Sequence, residues 1–415
     1  MRYSPRSIES IFKIFYVSVI LASFPGCCEK PIPSPEIERS ILIYMAANNT
    51  LSTYSFENIE MIKSGGFIPA NGNLLIYHDA PGTPPRLIRM VRKGDEVIEE
   101  LIEVYSENEH ATDLAVLTRT LIRMQERFPA KEYGLILWSH ATGWVPPRTF
   151  SSPIPSLSGV FSLPLGYRIE DLPSVKTFGE DRRPGTSEYD EGVDVHQLAA
   201  AIAAGAEHLS FILFDCCLMG GVESLYALRN VTDYVVASPA EILGAGFPYH
   251  LIIQPLFLPK ADLEGVCNAF YNYYNDHPSS SHRSATIALY RTDAVLELAE
   301  VTRAVFDAHR EEISQFSTTG IQRYANTNVY YDLDEFVLQL SKNQQGEYQL
   351  FKSTLDKVVI YKRNTDTFFS LVTSAAYIPI HHYGGISTYI PREVQTFLIE
   401  AYKETGWNQA VRLIE

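Results

Sequence analysis

Five short apolar runs, at residues 41–46, 74–77, 133–138, 210–214 and 234–237, carry no polar alternation. A strand with one face in water alternates apolar and polar residues, so continuous runs of this length fit strands covered on both faces, as in a parallel sheet. Helical patterns lie between them. Thr112 is placed to cap a helix whose Leu114, Leu117, Leu121 and Met124 share one face, and Phe128-Pro129 stops it. Residues 193–204 form an Ala-rich helix candidate. Thr292 is placed to cap a helix presenting Val295, Leu298, Ala299, Thr302, Val305 and Phe306 at helical spacing. The alternation predicts an α/β fold, a three-layer α/β/α sandwich around a mostly parallel sheet with right-handed crossovers. Beyond Phe247-Pro248-Tyr249 the pattern turns helical and Tyr-rich, giving helical C-terminal additions before a late strand at 384–390.

The length of 415 residues permits two or three domains, or one larger α/β unit. An apolar content of 46% against 20% charged residues excludes intrinsic disorder. The net charge of −15 argues against a nucleic-acid or anionic-membrane footprint and suits a cationic substrate. Arg2, Arg6 and Lys13 precede an uncharged apolar run from Ile14 to Phe24, too short to span a bilayer and laid out as a signal peptide. Gly26-Cys27 resembles a bacterial lipoprotein cleavage site, with Cys27 the lipidated first mature residue. Phe24-Pro25 fits that site poorly, so plain secretion and an uncleaved anchor stay open. The chain divides into a leader at 1–27, a Pro-rich extended spacer at 28–40 and a body at 41–415. The body holds Cys216, Cys217 and Cys267, an odd number in an exported chain, which leaves at least one thiol unpaired. Cys267 reads as a buried free thiol.

Between the third and fourth runs lies a long segment, with its loop at 141–193 rich in Pro, Gly, Ser and charge. Loops of this length in a compact sheet are functional or mobile, and this one is a candidate lid or processing loop.

Ligands of open parallel sheets bind beyond the carboxyl ends of the strands. His140 follows the third run and Cys216-Cys217 the fourth, so if these strands are neighbours an imidazole and a thiol share one cleft. A thiolate attacks a carbonyl, and an imidazole protonates the leaving amine and activates the deacylating water. Residues 218–225 read as a helix start whose backbone amides could assist ionisation and hold an oxyanion. A structural histidine and a core cysteine remain the alternative reading from spacing alone.

Trp138-Ser139-His140-Ala141-Thr142-Gly143-Trp144 and the later Phe214-Asp215-Cys216-Cys217-Leu218-Met219-Gly220 resemble the paired signature of the clostripain family of cysteine peptidases, relatives of caspases, gingipains and legumains. The family writes these as His-Gly-x-Gly-Trp and Asp-Ala-Cys-Leu-Met. Tyr44-Met45-Ala46-Ala47-Asn48-Asn49, Ala237-Ser238-Pro239-Ala240-Glu241, Gly246-Phe247-Pro248-Tyr249 and Tyr389-Ile390-Pro391 agree, so the resemblance runs from about residue 40 onward. It implies a caspase-like sheet, His140 as general acid/base, Cys217 as nucleophile and Asp215 as the carboxylate that receives an Arg or Lys side chain before the scissile bond. A loop or helix-capping acceptor is the other reading of Asp215. Cys216 stands where the family has Ala and is expected to pack inward. Relatives often mature by self-cleavage between His and Cys, which makes Arg182 and Arg183 a candidate processing site beside the reading as a solvated loop. Some relatives need calcium, and the resemblance alone raises that cofactor. Ala141 replaces the family's glycine, and if that position needs φ > 0 or lets substrate backbone approach closely, the site is strained or obstructed, and so weakened, altered in specificity or silent.

The implied function is an exported, lipid-anchored endopeptidase that hydrolyses protein or peptide substrates after Arg, with Lys as the secondary option, through a Cys-His dyad, with the membrane reached through the anchor and no nucleic-acid partner. The alternative is a catalytically silent cell-surface binding lipoprotein on the same scaffold. Thiol–disulfide exchange fits poorly, because Cys216-Cys217 lacks the two-residue spacer of a redox motif. Asp332-Leu333-Asp334-Glu335 lacks the Gly and spacing of an EF-hand and reads as solvated or capping carboxylates. His381-His382 reads as structural or surface histidines, and no metal site is predicted. Tyr271, Tyr273 and Tyr274 read as helix packing.

Overall fold

The computed structural model describes residues 37–146, 192–342, 344–392 and 396–415. The expected leader at 1–27, most of the spacer at 28–40 and most of the loop at 141–193, with Cys27, Arg182 and Arg183, lie outside the described residues.

The chain begins with β1 (Arg39–Ala46), α1 (Ser52–Gly65), β2 (Gly72–Asp79), β3 (Arg86–Lys93), β4 (Glu96–Val104), α2 (Leu114–Arg127) and β5 (Glu132–Trp138). It continues through α3 (Val195–Gly205), β6 (Leu209–Asp215), α4 (Val222–Leu228), β7 (Thr232–Ala237), α5 (Tyr249–Leu256), α6 (Leu263–Asn275) and β8 (Thr286–Arg291). Next come α7 (Val295–Ala308), α8 (Arg310–Ser314), β9 (Tyr331–Asp332), α9 (Leu333–Leu340), α10 (Gln345–Val358) and β10 (Val359–Asn364). The last elements are β11 (Thr367–Ser370), β12 (Ala376–Pro379), β13 (Ser387–Thr388), α11 (Thr396–Lys403) and α12 (Gly406–Val411).

The five apolar runs are β1, β2, β5, β6 and β7, and they form the parallel centre of a nine-stranded sheet ordered β10-β8-β7-β6-β5-β1-β2-β3-β4. Every residue of β1 and of β2 is buried, as the absence of alternation requires. Helices α1, α5 and α6 pack together in one layer, and α2, α3, α4, α7 and α10 in the other. The end of β5 meets both layers: Trp138 Nε1 donates to Asn58 Oδ1 of α1 (2.8 Å), and Leu137 and Trp138 line a cavity shared with Leu117 of α2.

Both flanks of the sheet are antiparallel, through β2-β3-β4 on one side and β7-β8-β10 on the other. The β3–β4 hairpin escapes a search for continuous apolar runs because its strands are partly exposed and interleave charge with apolar residues. Gly94, at φ 64°, makes its turn. The helix at 193–204 begins two residues later, at Val195, capped by Asp194, whose side chain accepts from His196 N and Gln197 N. The expected caps Thr112 and Thr292 are corrected. Asp113 caps α2 by accepting from Ala115 N, and α7 starts after Ala294 while Thr292 Oγ1 donates to Thr232 O (2.5 Å). The six positions expected on the packed face of α7 are all buried. The late strand contracts to the two residues of β13, paired with β9.

His78, near the end of β2, is buried with Nε2 2.9 Å from Ser55 Oγ. Burial, then the nearby Arg86 guanidinium, pulls its pKa down to about 4. The folded state therefore prefers the neutral ring, a contribution fully present above the unfolded pKa of about 6.5 and lost as pH falls through 4. Unfolding by denaturant between about pH 6.5 and pH 4 is expected to show a loss of about 3 kcal/mol from this group, absent in His78→Gln.

Candidate active site

Strand order reverses at β1: β2 lies on one side and β5 on the other, so the crevice of the sheet opens between the ends of β1 and β5. There, Thr50 Oγ1 lies 3.0 Å from His140 Nε2. The neighbouring pair β5 and β6 is parallel, and its final register partners are Trp138 and Asp215. His140 and Cys217 each stand two residues past that pair, so the sheet delivers the imidazole and the thiol to the same edge, on adjacent chain segments.

The two segments interlock beyond the strands. Leu218 holds φ 62°, a left-handed conformation unusual for a branched residue, and Gly143 holds φ 63°. A Cβ at Gly143 would lie 2.5 Å from the Leu218 carbonyl oxygen, so glycine is required there by contact as well as by backbone angle. Ala141 is buried and does not adopt positive φ, so the strain considered for that position is absent. Tyr330 donates its hydroxyl to Thr142 O (2.8 Å), adding a third support to the histidine segment.

Cys216 and Cys217 have different surroundings. Cys216 Sγ donates to Leu137 O (3.1 Å), and its side chain lines an apolar cavity of about 70 Å³ with His140, Ala141, Phe214 and Met219. Cys217 has no exposed surface, and its Sγ accepts from Ile242 N (3.2 Å). The loop after β7 carries that donor and cradles the cysteine segment, since Leu218 N donates to Ala240 O (3.0 Å) and Gly220 N to Ser238 O (2.8 Å). These bonds correct the helix start expected right after Cys217. The helix begins at Val222 with Gly221 as its cap, and the amides of Leu218 and Gly220 are already engaged.

Asp215 is fully buried, and its Oδ2 accepts from the Tyr249 hydroxyl (3.0 Å) and Phe247 N (3.4 Å). Burial and the adjacent carboxylate together push the Tyr249 phenol well above its ordinary range, so it serves as a donor.

The remaining candidates lie elsewhere. Asp332 is buried and caps α9 by accepting from Glu335 N (2.9 Å), while its other oxygen accepts from Gly384 N (2.6 Å) and the Tyr324 hydroxyl. His382 Nε2 is 3.2 Å from Asp334 Oδ2, and His381 Nε2 is 3.3 Å from Glu335 Oε2. The acidic run and the histidine pair are thus partners of each other. Asp332 and Asp334 are buried caps and acceptors, not solvated carboxylates. Among the described residues no three metal-ligating side chains are grouped to hold an ion. Tyr274 donates from α6 to Gly246 O (2.6 Å), and Cys267 is a buried free thiol whose pKa burial pushes up.

Sequence reasoning passed over Thr50, Glu223, Glu241 and Tyr330. Thr50 had a signal, its place just beyond the first strand at the reversal of order. Glu241 is buried beside the Ile242 donor and accepts from Leu371 N (2.9 Å), and burial pushes its carboxyl up to about 7. It closes the 237–241 stretch that carries part of the resemblance, but nothing in that stretch assigns it a role.

The clostripain family model matches residues 43–153 and 166–409. An inactive zymogen C11 protease from Parabacteroides distasonis is 31% identical, with a TM-score of 0.75 over 92% of this chain and 99% of its own. A secreted C11 cysteine protease from Bacteroides thetaiotaomicron, solved with an irreversible peptide inhibitor, is 26% identical, with a TM-score of 0.74 over 90% of this chain and 98% of its own. No curated protein matches the chain significantly.

The interlock predicts a contrast between two small substitutions. Gly143→Ala is expected to lower stability by about 2 kcal/mol or more, from the left-handed angle and the contact with Leu218. Ala141→Gly is expected to change it by less than about 1 kcal/mol. Chemical denaturation of both variants checks the pair.

Proposed function

The chain belongs to the clostripain family of cysteine peptidases, with a caspase-like α/β sheet, and from this premise we propose that it is an exported endopeptidase cleaving after Arg or Lys, with Cys217 as nucleophile and His140 as general acid/base. The observation that carries the reading is the parallel pairing of Trp138 with Asp215, after which both residues stand at matching positions.

The thiolate of Cys217 would attack the scissile carbonyl carbon, forming the S–C bond as the carbonyl π electrons move to oxygen. Collapse breaks the C–N bond, and the His140 imidazolium gives its proton to the departing amine. Water then attacks the thioester, its proton passes to His140, and the thiolate leaves. The Ile242 amide would hold the sulfur throughout. Because the Leu218 and Gly220 amides serve the adjoining loop, oxyanion donors would come from other groups. Its place at the end of β6, two residues before Cys217, together with the family resemblance, supports Asp215 as the carboxylate for a guanidinium or ammonium.

Cys217 and His140 are 0% and 2% exposed, an enclosure that fits a chain awaiting processing, with Arg182-Arg183 as the proposed cleavage site. The leader and the secreted relative support export, and Cys27 is the proposed point of lipid attachment.

Residues 29–415 and the Cys217→Ala variant, given fluorogenic peptides ending in Arg, Lys or a neutral residue, test the reading. Turnover of basic substrates is expected, with a loss of roughly 10⁴-fold or more in the variant. Intact mass should show cleavage at Arg182-Arg183 only when Cys217 is present. Asp215→Asn should lower kcat/KM for basic peptides by roughly ten- to a hundredfold while sparing neutral ones. Folded protein without turnover, and with Cys217 unreactive toward iodoacetamide after the 147–191 segment is nicked, would return the chain to the silent binding scaffold.

A further inference from the structure

The segment that follows His140 and the one that follows Cys217 meet a common third body. Trp144, four residues beyond His140, packs against Tyr389 (ring centroids 5.1 Å) and Tyr402 of α11 (4.9 Å), and those two rings pack on each other. On the cysteine side, Ser387 N donates to Gly220 O (2.9 Å), and Gly221 forms a parallel bridge with Ser387. Glu223, in the first turn of α4, has no exposed surface, and its Oε1 accepts from Thr388 Oγ1 (2.8 Å), Tyr389 N (3.1 Å) and the Tyr402 hydroxyl (3.0 Å). Its Oε2 is also buried and has no hydrogen-bond partner.

We propose that Glu223 is a positioning residue for the peptidase reaction. By gathering Thr388, Tyr389 and Tyr402 onto one oxygen, it fixes the C-terminal segment as the wall against which the His140 and Cys217 segments are set. The inference rests on the reading of His140 and Cys217 as the catalytic pair. A carboxylate oxygen taking three donors grips more firmly than a neutral acid. Burial pushes Glu223 up to about 7, so its grip strengthens as pH rises through neutrality. The titratable groups around it are the phenols of Tyr330, Tyr389 and Tyr402, with Cys217 and Glu241 sensed through Tyr330. Burial raises all three phenols, Tyr389 to about 12 and the others well beyond their ordinary range, so none of them titrates near neutrality.

Glu223→Gln keeps the acceptor oxygen and removes the charge, so it imitates the protonated residue at every pH. Two measurements on the processed chain test the role: kcat and KM from about pH 5.5 to 8, and hydrogen exchange of the 216–223 segment over the same range. At about pH 8 the variant is expected to lose roughly tenfold in kcat with KM little changed, and to exchange 216–223 faster, whereas at about pH 5.5 both quantities fall within roughly threefold of the parent. Glu241→Gln, the control for the second buried carboxylate, should retain the pH-dependent exchange of 216–223. Equal behaviour of Glu223→Gln and parent at pH 8, or an equal deficit at both pH values, overturns the proposal. If the parent itself has no turnover the peptidase reading falls, and the exchange profile still decides whether Glu223 sets the cysteine segment.

Discussion

The candidate active edge of this protein depends on the register of one pair of parallel strands. With Trp138 opposite Asp215, the residues that follow leave the sheet in step. A slip of one residue would displace one segment by about 3.3 Å and turn its side chains to the other face. The register is held by burial on both faces, with Trp138 anchored to Asn58 on one side and the Leu137 carbonyl taken by Cys216 Sγ on the other. The doubled cysteine therefore divides the labour, one thiol tying β6 to β5 and the next reaching the backbone donor at Ile242.

Past the strands, backbone takes over from side chains as the organising material. The left-handed turn at Leu218 disfavours a branched residue by about 1 kcal/mol, and two hydrogen bonds to the loop after β7 sustain it. Gly143 then lies against the carbonyl that this turn presents. Each segment limits the path of the other, a form of preorganisation that requires no charged pair between them. Charge enters one layer out, where Glu223 and Glu241 draw in segments from the C-terminal third of the chain.

The parallel centre was legible because burial on both faces leaves an uninterrupted apolar run, and the candidate residues His140 and Cys217 were legible because they come just after such runs. The antiparallel flanks were not, since β3 and β4 are partly exposed and mix charge with apolar residues. Caps were misplaced by one or two residues at Thr112 and Thr292, where a neighbouring residue or an interstrand bond uses the position differently. Glu223 reads in sequence as an ordinary acidic residue in a first helical turn. Its burial depends on Tyr389 and Tyr402, more than 160 positions away, a relation that no local pattern records.

The sheet stops at β4, whose outer edge carries no partner strand among the described residues. Along it stand Glu96, Glu99, Glu100 and Glu103, interleaved with the exposed apolar side chains of Leu101 and Val104. Another strand docking there would have to strip water from these carboxylates and from the ion pairs they make. Glu99 pairs with Lys63 and Arg86, Glu100 with Arg89 and Glu103 with Arg123, so the edge is a hydrated lattice of charge that an incoming strand would have to break. A nine-stranded sheet left open at this edge is thereby guarded against growing into a fibre of its own copies.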